Sequence, residues 1–204
     1  MINIYPIFYN KKQYLDLLLL ADEQESMIDR YLERGDMFVL ADNNEVKASC
    51  VITEEGNGIY EIKSIAVYPQ FQRKGYGKKL ISFLLEHYKT RCHTMLVGTG
   101  DSPITISFYN SCGFIYSHRI PNFFTDNYDH PIFEAGKQLK DMIYLKLVQV
   151  DNCSPKGCES IFCKERNIAT TLVTYSITCI QYATNVNLLF AGLLFSVQRL
   201  FVMK

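Results

Sequence analysis

The sequence has no surplus of charge of either sign: 21 basic residues stand against 21 acidic ones, and the formal net charge at neutral pH is zero. Binding nucleic acid by phosphate neutralisation needs an excess of Lys and Arg. General nucleic-acid binding is therefore excluded, and charge-dependent recognition must be local. The first 20 residues, "MINIYPIFYNKKQYLDLLLL", lack the form of a secretory signal, because Lys11, Lys12 and Asp16 interrupt the apolar content and no small-residue cleavage site follows. Metal-ligand spacing is missing around His87, His93, His118 and His130. The seven cysteines are odd in number and irregularly placed, which speaks against a disulfide framework and for reduced thiols in a cytoplasm. Internal repeats and low-complexity segments are absent too.

What is present is core material. Hydrophobic residues make up 48% of the 204 and charged residues 21%, enough for one domain or one domain with an appendage. Up to about residue 150, strand-like and helix-like segments alternate. "INIYPIF", "MFVLAD", "VKASCVIT", "IYEIKSIAVY", "TMLVG" and "DMIYLKLV" read as strands, short and rich in β-branched or aromatic residues. "QESMIDRYLER" places Met27, Ile28, Tyr31 and Leu32 at helical spacing, with Gly35 as its stop. "GYGKKLISFLLEHYK" does the same with Leu80, Ile81, Leu84, Leu85 and Tyr88, and "PITISFYNSC" reads as a short helix opened by Ser102 and Pro103.

One junction raises a chemical question. "AVYPQFQRKGYGKKL" runs out of an apolar strand into a helix and sets Gly75 and Gly77 among Arg73, Lys74, Lys78 and Lys79. A helix N-terminus carries unpaired amides and the positive end of the peptide dipoles, and glycine lets an anion come close to them. A phosphate cradle is one reading; a glycine-dependent turn beside solvated lysines is the other. The P-loop spacing is absent, and the dinucleotide fingerprint fails because Leu80 stands where its third glycine belongs.

The wider stretch "SIAVYPQFQRKGYGKKLISFLLE" resembles the acyl-coenzyme A signature of the GNAT superfamily of N-acetyltransferases. That signature is an apolar strand, a Pro soon after, then Gln/Arg-x-x-Gly-x-Gly/Ala opening a helix, here Gln72, Arg73, Lys74, Gly75, Tyr76 and Gly77. Further on, "SFYNSCGF" is similar to the family's second signature, a helix ending in Tyr, Gly and Phe before a strand. The resemblance covers roughly residues 1 to 148. It implies an α/β (α+β) fold with a mixed, largely antiparallel sheet flanked by helices and splayed in the middle. It also implies acetyl-coenzyme A as co-substrate, with no metal.

The resemblance assigns roles as well. Main-chain groups of Ile65, Ala66 and Val67 would bind the pantetheine arm, and the Val67 N–H would face the thioester carbonyl, a placement that can contribute ~3–4 kcal/mol to the transition state. The loop Gln72, Arg73, Lys74, Gly75, Tyr76, Gly77 and Lys78 would hold the pyrophosphate. Tyr109 would protonate the departing thiolate, or be a helix tyrosine packed on the sheet. Glu61, four residues before Ile65, would serve as base, or be a strand carboxylate paired with Lys63; alternation puts Glu61, Lys63 and Ile65 on one face. Relatives often carry Asn and Ala where this chain has Ser102 and Thr105, leaving Ser102 to cap the helix or bond the cofactor's amide.

The segment "SHRIPNFFTDNYDHPIFEAGKQLKD" is longer than the family's usual hairpin and holds Phe123, Phe124, Tyr128 and Phe133 beside Asp126, Asp129, His130 and Glu134. It would suit a cationic amine through charge and cation–π attraction, or serve as packing or a homodimer contact. The expected activity is transfer of an acetyl group to a primary amine, on a small molecule or peptide, by direct attack in a ternary complex. The alternative is a non-catalytic acyl-coenzyme A sensor or interaction domain.

From residue 151 onward the character changes. This extension holds Cys153, Cys158, Cys163 and Cys179, five basic against three acidic residues, and no charge at all from Ile168 to Gln198. A membrane contact, a helix packed on the domain or on a second copy, and a segment without selected function are all open to it. The domain boundary is placed at 150.

Overall fold

The computed structural model describes residues 1–149. The expectations for 151–204, including the cysteine-bearing extension and its membrane contact, lie outside the described residues. Nine strands and five helices follow in chain order: β1 Ile2–Ile7, α1 Leu15–Leu18, α2 Glu25–Ile28, β2 Asp36–Asp42, β3 Glu45–Gly56, β4 Ile59–Val67, α3 Tyr76–His87, β5 Thr94–Gly100, α4 Pro103–Ser111, β6 Ile115–Ile120, α5 Phe123–Asn127, β7 Phe133–Glu134, β8 Lys137–Gln138 and β9 Met142–Val148. Seven strands form one sheet in the order β1-β2-β3-β4-β5-β9-β6, and β7 and β8 form a separate small hairpin. Every neighbouring pair in the large sheet is antiparallel except β4 and β5. The mixed, largely antiparallel sheet with flanking helices is the fold expected from the sequence.

Both faces of the central strands are covered, which is why they read as continuous apolar runs. In β2 the alternation is direct: Phe38 and Leu40 enter the core beneath α3 and α4, while Met37 and Val39 enter a second core with Leu18, Ile28 and Leu32. Helix α3 contributes Leu80, Ile81 and Leu84 to the first core. Its amphipathic spacing fits that one-sided burial.

Three expectations change. The helix read across "QESMIDRYLER" is only the four residues of α2, followed by turns. The buried Lys11 closes the end of these turns. Its Nζ donates to Leu32 O at 2.8 Å, Glu33 O at 3.1 Å and Gly35 O at 2.7 Å, so these carbonyls are satisfied without a continued helix. Gly35 is not a left-handed stop. A Cβ there would lie 2.7 Å from Val51 Cγ1, so the glycine permits close packing against β3. The long segment before β9 contains α5 and the β7–β8 hairpin, folded around Phe124, Ile132 and Leu139.

The third correction matters most for chemistry. Ile52 pairs with Ile62 and Val51 with Ser64, so Lys63 is an extra residue in β4, a β-bulge. The bulge resets the alternation. Tyr60 and Ile62 belong to the core beneath α3 and α4, and beyond the bulge Ile65 and Val67 pack against that same core. Ile65 therefore lies on the face opposite Glu61, not beside it.

Candidate functional site

Strand β4 pairs with β5 only from Ile59 opposite Thr94 to Ile62 opposite Val97. Beyond that point the two strands part, and the β5 side of Lys63–Val67 is left open. Tyr68 N donates to Lys47 O at 3.0 Å, toward β3. Successive amides of a strand point to alternate sides, so the N–H groups of Val67 and Ile65 face the open side and that of Ala66 faces β3. Two of the three anticipated main-chain contacts are thus available. Ala66 is corrected: its polar backbone atoms point into the sheet and its side chain is buried.

After β4 the chain makes a single turn at Pro69–Phe71 and enters α3 through Gly75. Gly75 has φ +84°, a conformation costly for any residue with a Cβ, and open space surrounds it. Gly77 serves differently, since a Cβ there would come within 3.1 Å of Phe108 on α4. The first backbone bond of α3 runs from Lys79 N to Gly75 O at 3.0 Å. The amides of Tyr76, Gly77 and Lys78 precede it and have no intrahelical acceptor. Beside them lies a groove of about 540 Å³, lined by Val67, Gln72, Arg73, Gly75, Gly77 and Lys78 among others. Gln72 Nε2 donates to Val67 O at 3.2 Å, tying the loop to the strand end.

Not every anticipated contact reaches this groove. Tyr76 lines it, but its hydroxyl is anchored to Asp42 Oδ2 at 2.9 Å. Lys74 does not line it and lies 5.3 Å over the ring of Phe71, whose other neighbour is Lys47 Nζ at 3.6 Å. Ser102 does not cap α4: it is 2% exposed, makes no capping bond, and its Oγ has no hydrogen-bond partner among the described residues. Thr105, one turn further along α4, stands in the groove instead.

A second cavity, about 360 Å³, fills the gap between β4 and β5 and meets the groove at Ile65 and Thr105. Tyr109 lines it, 5% exposed, with its ring edge-on between Phe108 and Phe114. Burial first, then the nearby Cys112 and Glu134, push its phenol well above the ordinary tyrosine range. This direction favours the protonated phenol. From the long segment, Phe124, Tyr128, Phe133 and Glu134 line this cavity, whereas Phe123, Asp126, Asp129 and His130 do not. Glu134 accepts a hydrogen bond from Thr105 Oγ1, linking the β7–β8 hairpin to α4.

Glu61 does not line this cavity but the one adjoining it, which shares Asp22, Lys63 and Tyr128 with it. Its Oε2 lies 2.6 Å from Lys63 Nζ, and its Oε1 accepts from Tyr144 OH at 3.1 Å, on the wall of an adjoining cavity. The ion pair with Lys63, the other sequence reading of this carboxylate, is the arrangement observed. The carboxylates that do share the cavity with Tyr109 are Glu134 and, in the loop between α1 and α2, Asp22 and Glu23; Asp22 is the partly buried one of that loop pair. Its Oδ1 accepts from Tyr128 OH at 3.0 Å and from Gln24 N at 3.4 Å. Desolvation pushes its carboxyl above the ordinary range, against the opposing pull of Tyr128, Gln24 and Arg30. Nothing in the string "LADEQ" marks Asp22; only the folding of α1 and α2 over the sheet brings it there. Among the described residues no group of His, Cys, Asp and Glu is arranged to hold a metal ion.

Comparison with known proteins gives concordant findings. The family model for the acetyltransferase (GNAT) family matches residues 4–114. The uncharacterized N-acetyltransferase YvbK of Bacillus subtilis is 39% identical over 134 residues, covering 65% of this chain and 86% of that protein. A GNAT family acetyltransferase from Elizabethkingia anophelis, solved with acetyl-CoA bound, is 35% identical with a TM-score of 0.69, across 72% of this chain and 97% of its own. A Bacillus subtilis acetyltransferase in complex with CoA is likewise 35% identical, with a TM-score of 0.68 across 74% of this chain and all of its own.

Proposed function

The chain belongs to the acetyltransferase (GNAT) family and is an acyltransferase; from that premise we propose that it moves the acetyl group of acetyl-CoA to a primary amine by direct attack in a ternary complex. The observation that carries this reading is the junction at Ile65 and Thr105, where a groove floored by unpaired amides opens into a cavity walled by Tyr109. A co-substrate in the groove and an amine in the cavity would meet there without a covalent enzyme intermediate. The residues fit such a co-substrate. Amides at 76–78 offer donors to a pyrophosphate, Gly75 leaves room for its approach, and Arg73 and Lys78 add charge at the rim.

The open N–H groups of Ile65 and Val67 face the path of an extended arm, in the manner of a strand added to a sheet edge. The Val67 N–H stabilises the oxyanion that develops on the thioester carbonyl. Tyr109 gives its proton to the sulfur as the carbon–sulfur bond breaks. The cavity beyond holds the carboxylates of Asp22, Glu23 and Glu134 against the single ammonium of Lys63, itself paired with Glu61. This balance, together with the rings of Phe124, Tyr128 and Phe133, favours a cationic amine over an acidic one.

Isothermal titration of the full chain with acetyl-CoA, followed by detection of released CoA with an amine panel, tests the proposal. Saturable binding and amine-dependent CoA release are expected. Absence of binding to the folded chain removes the proposal, and binding without release to any amine leaves only the acyl-CoA-binding part of it.

A further inference from the structure

An amine that enters as an ammonium ion must lose a proton before its nitrogen can attack, and the chain must supply an acceptor within the acceptor cavity. We infer that Asp22 is this proton acceptor, a role that rests on the amine-transfer reading above. The argument proceeds by the commitments of the other groups. Glu61 borders the adjoining cavity and is paired to Lys63. Lys63 is itself engaged by Glu61 and, at 3.4 Å, by Glu55. Glu134 is bonded to Thr105 at the junction with the groove. Glu23 is half exposed and faces His130 at 3.8 Å. Tyr109, buried, and Tyr128, half-buried, are phenols whose desolvation raises them above the ordinary tyrosine range. Asp22 lies in the cavity and in the adjoining one, is partly buried, and has an orienting donor in the Tyr128 hydroxyl, whereas Glu134 is held at the groove junction by Thr105.

The groups facing Asp22 set its tuning. Arg30 from the turn after α2 and the Tyr128 hydroxyl favour the charged form, Glu23 opposes it, and desolvation outweighs them. A carboxylate raised in this way is a better proton acceptor at neutral pH than one in water. The step balances as follows. One N–H bond of the ammonium breaks and its proton passes to an Asp22 oxygen. The freed lone pair forms the C–N bond to the thioester carbonyl, and the C–S bond then breaks. Tyr109 donates its proton to the departing sulfur and is restored by the second proton leaving the nitrogen. The proton on Asp22 goes to solvent, completing the net release of one proton per amide formed.

The test compares the wild type with Asp22→Asn, using n-butylamine, 1,4-diaminobutane and phenethylamine as probes, with acetyl-CoA titration as a control on the groove. The expected result is a fall of about 100-fold or more in kcat/KM for the amine and loss of the acidic limb of its pH profile, with acetyl-CoA affinity unchanged. Undiminished kcat/KM with the same acidic limb overturns the assignment. Should Asp22→Asn not fold, Tyr128→Phe decides. Removing that hydroxyl withdraws support from the charged carboxylate, so the acidic limb must move to higher pH, and an unmoved limb overturns the inference. Wild type that binds acetyl-CoA but transfers to none of the probes overturns the amine-transfer reading itself, a failure distinct from a wrong choice of base.

Discussion

At Tyr109 the chain places a phenol that burial keeps protonated, on the wall of the cavity where an amine would meet a thioester. Removing only the hydroxyl separates chemistry from packing. Tyr109→Phe retains the ring and its edge-on contacts with Phe108 and Phe114, so acetyl-CoA affinity is expected to hold while kcat falls about 100-fold. Steady-state kinetics beside a binding titration measure both. Because the folded-state value is raised, a limb caused by ionisation of Tyr109 in the wild-type profile must lie above the ordinary tyrosine range, and it disappears in the variant. A tyrosine that serves only to fill space would leave kcat untouched. The two glycines show a similar division of labour. Gly75 answers a backbone demand, its positive φ, whereas Gly77 answers a packing demand from Phe108. The Gly-x-Gly spelling is legible in the sequence; the two reasons behind it are not.

Among the elements, the α2 turn and strand β4 show how local pattern yields to tertiary partners. Met27, Ile28, Tyr31 and Leu32 do face the core as helical spacing implies, yet the helix stops at Ile28, and Lys11, 21 residues earlier than Leu32, gathers the carbonyls that close the turns after it. Lys11→Met would leave three carbonyls without their donor and is expected to cost on the order of 3 kcal/mol, read as a lower midpoint in urea unfolding. Since α1 and α2 carry the loop that holds Asp22, transfer to amine should suffer in this variant more than acetyl-CoA binding does. In β4 the extra residue at Lys63 puts Glu61 on one face and Ile65 on the other. A period of two cannot reveal such an insertion, because a bulge depends on which partner residues the neighbouring strand presents. The resemblance points to Glu61 as base from its place four residues before Ile65; what the bulge changes is the face it was expected to share with Ile65.

For the molecule as a whole, every group assigned here to the groove and the acceptor cavity lies within residues 1–149, inside a seven-stranded sheet with a core on each face. A chain ending at residue 150 is therefore expected to bind acetyl-CoA with the affinity of the full chain and to unfold cooperatively. Loss of binding on truncation would show that the extension from 151 contributes to the site. Among the described residues no helix is long and apolar enough to cross a membrane. The sequence by itself showed six of the seven strands of the large sheet, helices α3 and α4 and the glycine-marked mouth of α3, through short-range rules of periodicity, glycine geometry and the unpaired amides at the start of a helix; Tyr109 was singled out by the resemblance to the family. Tertiary structure decided the rest. The parting of β4 from β5, the face on which each β4 residue falls, and the arrival of Asp22 beside the acceptor cavity arise from contacts between segments distant in the chain, and no local pattern encodes them.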